Sequence, residues 1–290
     1  MTMQIECKTI LNRVKQPDTW FGLSYTMNLY RGCRHGCIYC DSRSDRYGIR
    51  SFERVAVKAN AIHLLRERLP RIRRKGTVGT GAMSDPYQPL EKRLKLTRRA
   101  LEALEENGFP VHVMTKSDLV MRDIDLLQSM GRVYSAVSFS VTAAEDETAA
   151  RLEPGAPSVT ARMRALRTLR AKGIYAGVAL MPVLPFLTDS EENVVAVFRR
   201  AVDAGARFVL PWFGMTLRDG QREYYYRQLD RLYPGARDKY EKAYGDSYHC
   251  SARRHERLHE VFEGLCNEYD VAPYMRFYEP FEARQLKLFG

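Results

Sequence analysis

From residue 25 onward the chain alternates short β-branched or aromatic runs with stretches in which apolar residues recur every third or fourth position. The runs at 26–30, 77–83, 111–115, 133–141, 174–181 and 207–212 have the length and composition of buried strands. Between them, residues 59–69, 94–106, 122–130, 159–171 and 190–204 carry helical periodicity, with Ile62, Leu65 and Leu69 on one stripe. Gly108, Gly131, Gly173 and Gly205 follow four of these helices as C-terminal stops. Such alternation predicts parallel β/α units, whose right-handed crossovers lead to an open doubly wound sheet or to a barrel. Six units favour an α/β fold of the partial (β/α)6 TIM-barrel type over 25–214, with chemistry on loops at the C-terminal ends of the strands. Residues 1–24 form an N-terminal segment. Near Gln221 the pattern turns to helices rich in tyrosine and arginine, which predicts a C-terminal helical extension over 215–283, followed by a tail at 284–290.

Composition narrows the class. The 290 residues are 45% hydrophobic and 28% charged, as in an ordinary soluble globular protein with a sizeable core. No apolar run approaches the roughly 18 residues that cross a bilayer, and residues 1–9, with Glu6 and no long apolar core, do not read as a signal peptide. A cytoplasmic protein without a membrane partner is expected. A formal net charge of +11 and an isoelectric point near 9.4 attract polyanions, so DNA or another nucleic acid is a candidate partner. The basic runs at 66–75 and 92–99, and Arg253, Arg254 and Arg257, serve equally well as solvated helix faces.

Three of the six cysteines crowd into eight residues, at 30–41 (YRGCRHGCIYCD). Clustered thiols in a chain without secretory features point to metal rather than disulfides. Gly32 and Gly36 allow the loop to wrap tightly. Cys33, Cys37 and Cys40 can hold three irons of a 4Fe-4S cube and leave the fourth open to chelate a small molecule. The alternative is structural zinc, with His35 or a distant cysteine as fourth ligand; His35, inside the loop, is poorly placed to share one metal with its flanking cysteines.

The Cys33-x3-Cys37-x-Tyr39-Cys40 loop after the first strand resembles the signature of the radical S-adenosylmethionine superfamily. That resemblance implies S-adenosylmethionine on the open iron, one-electron reduction by a donor such as flavodoxin or ferredoxin, and release of a 5'-deoxyadenosyl radical. Residues 81–89 (GAMSDPYQP) resemble a narrower group, the spore photoproduct lyase-like (DNA repair photolyase-like) radical enzymes. In that likeness Ser84 and Asp85 contact the ammonium and carboxylate of the methionine moiety, and Lys116 meets the carboxylate. Ser140, with Ser138 on the same side of its strand, touches ribose or carboxylate, and the Met181 backbone flanks the adenine. Tyr39 shields the cluster or takes part in hydrogen transfer. The group's relay cysteine before the Ser-Asp pair and its tyrosine after the third cluster cysteine are here Ala82 and Asp41, neither able to donate a hydrogen atom. Tyr87 and Cys250 are the replacement donors to consider, and thymine-dimer splitting is not the expected reaction.

The tail at Gln285, Leu286, Leu288 and Phe289 resembles the peptide by which bacterial replication and repair proteins dock on the sliding clamp, with Leu288 and Phe289 as anchors in an apolar pocket. Three functions stay open on sequence alone. One is a radical enzyme acting on nucleic acid, another a radical enzyme acting on a peptide or small metabolite. The third is a non-catalytic iron–sulfur binding protein.

Overall fold

The computed structural model describes residues 3–16, 18–49 and 51–280. Its main sheet contains six strands: β1 (Tyr25–Met27), β2 (Val78–Thr80), β3 (Val111–Thr115), β4 (Ser135–Val141), β5 (Tyr175–Leu180) and β6 (Val209–Pro211). Each pairs in parallel with the next in sequence. The spatial order runs from β6 to β1 without reversal. A doubly wound sheet reverses order at a switch point; this one is singly wound, as a barrel is. Among the described residues no ladder joins β6 to β1, so the barrel is partial.

Helices α1 (Ala61–Arg68), α2 (Leu96–Glu106), α3 (Ile124–Met130), α4 (Val159–Ala171) and α5 (Glu191–Asp203) connect successive strands. Their apolar stripes, including Leu101, Leu104, Leu127, Leu166 and Phe198, join Val111, Val137, Phe139 and Val178 of the strands in one core. All seven residues of β4 are buried, as befits a central strand covered on both faces. Serine hydroxyls start two of the helices: Ser158 accepts from the Ala161 N–H (3.1 Å) and Ser190 from the Asn193 N–H (3.2 Å).

Several elements differ from the sequence pattern. Lys95 takes a left-handed backbone angle (φ +50°), so α2 begins at Leu96 and not at 94. The helix expected over 122–130 is a 3-10 stretch, Asp118–Asp123, followed by α3. The 26–30 run breaks after Met27; Tyr30–Arg31 pairs instead with Ala56–Lys58, which also holds Met3–Ile5, in a small separate sheet. Leu11–Arg13 adds an antiparallel edge beside β1.

The C-terminal part contains α6 (Gln221–Leu232), α7 (Ala236–Tyr244) and α8 (His255–Tyr269), and also a strand pair, Gly214–Thr216 with His249–Ser251. Tyr225, Leu229 and Tyr240 of α6 and α7 share a core with Cys37, Ile38 and Tyr39, so the extension packs directly on the cysteine loop. Phe262 of α8 packs edge-on against Phe198 of α5, with ring centroids 5.5 Å apart. Beyond α8 the chain returns to the sheet, where the Ala272 carbonyl accepts from the Val209 N–H (3.0 Å) at the free edge of β6. Among the described residues no helix is long and apolar enough to cross a membrane. Gln285, Leu286, Leu288 and Phe289 lie outside the described residues.

Candidate functional site

The cysteine loop leaves β1 through Tyr30 and is pinned at every turn. Gly32 sits at φ +85°, where a Cβ would lie 2.3 Å from the Phe52 carbonyl; that carbonyl accepts the Cys33 N–H (3.1 Å). The Gln88 side chain accepts from the Arg34 N–H (3.2 Å) and donates to the Gly32 carbonyl (3.4 Å). From the far side, the Gly155 N–H donates to the His35 carbonyl (2.8 Å) and the Ile38 N–H to the Leu152 carbonyl (2.9 Å). These bonds set Cys33 and Cys37, both buried, and Cys40, half-buried, around one recess with no disulfide between them. The recess lies at the C-terminal ends of β2, β3 and β4, where Ala82, Ser84, Asp85, Lys116 and Ser140 complete its lining.

Burial pushes all three thiols up, Cys33 to about 12, so an incoming metal must displace their protons. Among the described residues no three His, Cys, Asp or Glu groups converge closely enough to hold a single metal ion. Three sulfurs around a recess, one for each of three irons, fit a 4Fe-4S cluster with one iron left open.

Asp85 is the most heavily bonded residue of the site. It accepts from the Tyr87 N–H (2.8 Å), the Thr115 hydroxyl (2.6 Å) and the Lys116 N–H (2.7 Å), and lies 3.3 Å from His35 Nδ1. Burial alone would raise its pKa; the His35 charge and these donors outweigh that and hold the carboxyl down at about 2. Through these bonds Asp85 ties the loop after β2 to the end of β3. Ser84 donates to the Tyr30 carbonyl (3.1 Å).

Lys116 donates to the Ser140 hydroxyl (3.0 Å), which in turn donates to the Met181 carbonyl (2.9 Å). Behind Lys116 lies a feature the sequence did not reveal, a fully buried ion pair between Glu153 and Arg162. Arg162 also donates to the carbonyls of Ser140 (2.9 Å) and Pro157 (3.0 Å). Glu153 accepts from Tyr39 and Thr142 and lies 3.9 Å from Lys116 Nζ. Burial opposes the charge on both Lys116 and Glu153. Cys37 and Glu153 nevertheless raise the lysine, and Arg162 and Lys116 lower the carboxyl.

Four expected site residues, Ser138, Tyr39, Tyr87 and Met181, stand off the recess. Ser138 lies two residues before Ser140 on β4, about 7 Å deeper in the barrel, and its hydroxyl pairs with His112 Nε2 (2.8 Å). Tyr39 turns its hydroxyl to Glu153 and to Thr142 (3.0 Å), with Lys116 Nζ 5.7 Å from its ring centre. The buried Tyr87 donates to Asp123 (2.9 Å). Met181 offers its carbonyl at the barrel mouth and packs its side chain on Ala136, Phe208 and Met275. Cys250 is a buried thiol among Met215, Tyr225 and Tyr240. Asp41 accepts from Arg218 Nε (2.9 Å), the Thr216 hydroxyl (3.2 Å) and the Tyr47 hydroxyl (3.1 Å), which ties the end of the cysteine loop to the C-terminal extension.

A sequence profile of the Radical SAM superfamily matches residues 27–198. An uncharacterised protein of Mycobacterium tuberculosis is 32% identical over 277 residues, which cover 93% of this chain and 81% of the relative. The radical SAM Nalpha-GlyT isomerase of Pseudomonas phage M6 is 26% identical over 181 residues, 62% of this chain and 37% of that enzyme. Among solved structures, spore photoproduct lyase complexed with dinucleoside spore photoproduct superposes with a TM-score of 0.67 at 16% identity, over 92% of this chain and 78% of that one, a likeness of fold.

Proposed function

The chain belongs to the radical S-adenosylmethionine superfamily, an enzyme whose cofactors are a 4Fe-4S cluster and S-adenosylmethionine, and on that premise we propose that it performs radical chemistry on nucleic acid. The recess carries the reading: the thiols of Cys33, Cys37 and Cys40 share it with Ser84, Asp85, Lys116 and Ser140, at the chemically active end of the barrel. When bound there, the cofactors supply a 5'-deoxyadenosyl radical able to take one hydrogen atom from a substrate.

The chain's own groups do the rest. Cys33, Cys37 and Cys40 hold three irons. Lys116, kept charged by its acidic neighbours, offers its ammonium to the carboxylate of S-adenosylmethionine, and Ser140 aims it. Ser84 and Asp85 contact the ammonium and carboxylate of the methionine moiety, and Asp85 also ties their loop to the end of β3. The Met181 carbonyl marks the place of the adenine. Ala82 and Asp41 exclude the hydrogen relay of the spore photoproduct lyase-like group, and the Asp41 ion pair with Arg218 gives that position a structural duty. The reaction is therefore not dimer splitting by that relay.

Nucleic acid as substrate is supported by the net charge of +11 and by the dinucleoside carried by the fold neighbour. One observation favours a second reading, a peptide or small metabolite: Arg98, Arg237 and Arg257 are spent on surface carboxylates. The two separate in one assay. Release of 5'-deoxyadenosine by the anaerobic, reduced enzyme is measured with single-stranded DNA, UV-irradiated duplex, RNA or no addition. Stimulation by nucleic acid that weakens with salt is expected; equal release in every case would overturn the nucleic-acid reading.

A further inference from the structure

We propose that the groove at the end of the barrel opposite the cysteine loop binds single-stranded nucleic acid, holding a strand by its bases and phosphates away from the reacting site. The inference rests on the nucleic-acid reading above and deepens it with a second place of contact.

The groove holds about 1070 Å³ and lies where β4 and β5 begin, at Ser135 and Tyr175. Ser140, which lines the cofactor recess, stands further along β4, about 17 Å away. One wall of the groove is the chain beyond α8, and it is fixed in place. The Tyr134 hydroxyl donates to the Arg276 carbonyl, and the Arg276 N–H donates to the Tyr175 hydroxyl (2.9 Å). Met275 is buried with Ala136, Phe208 and Leu210. With Met275 turned inward, Tyr274 and Phe277 stay on the surface, 60% and 42% exposed. Phe277 rests on Gly22, where a Cβ would lie 2.5 Å from its ring. Large aromatic rings held open to water mark a contact surface, and they are what unpaired bases stack on.

Charge and hydrogen bonding point the same way. Three exposed cations, Arg132, Lys172 and Arg276, line the groove against one acid, Glu279. Arg132 also has Glu105 3.7 Å away at the surface; with that carboxylate counted the balance is still positive. The Arg276 guanidinium lies over the Tyr175 ring, 5.0 Å from its centre. Ser135, another lining residue, is 5% exposed, and its hydroxyl has no hydrogen-bond partner among the described residues. A buried donor left unpaired is costly; a base carbonyl or phosphate oxygen seated in the groove supplies the acceptor. An acidic peptide would match the charge but brings no flat rings to stack, and a duplex hides its bases. A single strand matches all three features.

The test uses the full chain and a fluorescein-labelled oligothymidylate of about fifteen nucleotides, with binding followed by anisotropy over a range of salt. Tyr274→Ala removes an exposed ring and Lys172→Glu reverses a charge; neither residue lines the recess. Tyr274→Ala is expected to weaken binding about fivefold or more. Lys172→Glu should weaken it about three- to tenfold and flatten its salt dependence. Release of 5'-deoxyadenosine without nucleic acid should stay at the wild-type level in both. A strand carrying 5-iododeoxyuridine, irradiated in the complex, should crosslink to Tyr274 or Phe277, as located by peptide mass spectrometry. Affinity equal to wild type in both variants overturns the groove, as do crosslinks confined to the recess end of the barrel. So does displacement of the strand by polyglutamate or by a blunt duplex as readily as by unlabelled strand. A strand held in the groove that leaves 5'-deoxyadenosine release unchanged removes the substrate reading and leaves this inference standing; stimulation by nucleic acid that both variants retain, with unaltered binding, removes the inference alone.

Discussion

Arg162→Met isolates the energetic role of the buried ion pair behind Lys116. The substitution keeps an unbranched side chain of similar reach but leaves the Glu153 carboxylate without its main partner, in a place where both side chains are 1% exposed. Breaking a buried pair by removing one partner costs about 3–5 kcal/mol, because the surviving charge is stranded. Here Lys116 Nζ stays 3.9 Å away and compensates in part, which sets the expectation near the lower end, about 3 kcal/mol. Set against a typical total stability of about 5–15 kcal/mol, that is a large share. At roughly 2–4 °C per kcal/mol for a chain of this size, the melting temperature should fall by roughly 6–12 °C. The double variant Arg162→Met with Glu153→Gln removes the stranded charge yet keeps an acceptor for Tyr39 and Thr142, and should recover half of that loss or more. Differential scanning calorimetry on the three proteins decides the matter. A double variant as unstable as the single one, or a single variant within about 1 kcal/mol of wild type, would refute the reasoning.

Three further outcomes are expected. Alanine at Cys33, Cys37 or Cys40 should abolish the brown chromophore and drop the iron content well below the about four per chain of a full cube, measured by absorbance and iron assay. Gly32→Ala should cost about 1–3 kcal/mol in strain and lower iron uptake, because its Cβ would meet the Phe52 carbonyl at 2.3 Å. Gly173→Ala, also at positive φ but with nothing within 4 Å, should melt lower while keeping its iron. Asp85, held down at about 2, contributes stability that is present above the unfolded carboxyl value of about 3.9 and lost as pH falls through the folded one. The stability gap between wild type and Asp85→Asn, read by urea denaturation of the cluster-free protein, should therefore be full above pH 4 and close on the way to about pH 2.

The legible parts of the chain were those in which local pattern and tertiary fate agree. The 111–115 strand and the 159–171 helix stand where their periodicity puts them, and each buries its apolar positions. The cysteine spacing marked the site because three thiols so close together have few other uses. What the sequence concealed are choices settled by contacts between distant segments. Nothing local distinguishes Glu153 and Arg162 from ordinary surface charges nine residues apart; only the packing of α4 under β4 buries them. Ser138 and Ser140 look equivalent by alternation, and depth alone separates them, since one meets His112 and the other Lys116. Tyr39 and Tyr87 were chemically eligible donors, but buried acceptors at Glu153 and Asp123 claim their hydroxyls. The short strands at 3–5, 11–13 and 56–58 carry too little periodicity, at three residues each, to be marked by pattern.

A half-cylinder that never meets itself has two raw rims, each a row of amides and carbonyls ready to recruit a stranger's backbone. In this molecule Leu11–Arg13 hems one rim and Ala272 stitches the other. The sheet can stay open without offering either rim to a neighbouring molecule.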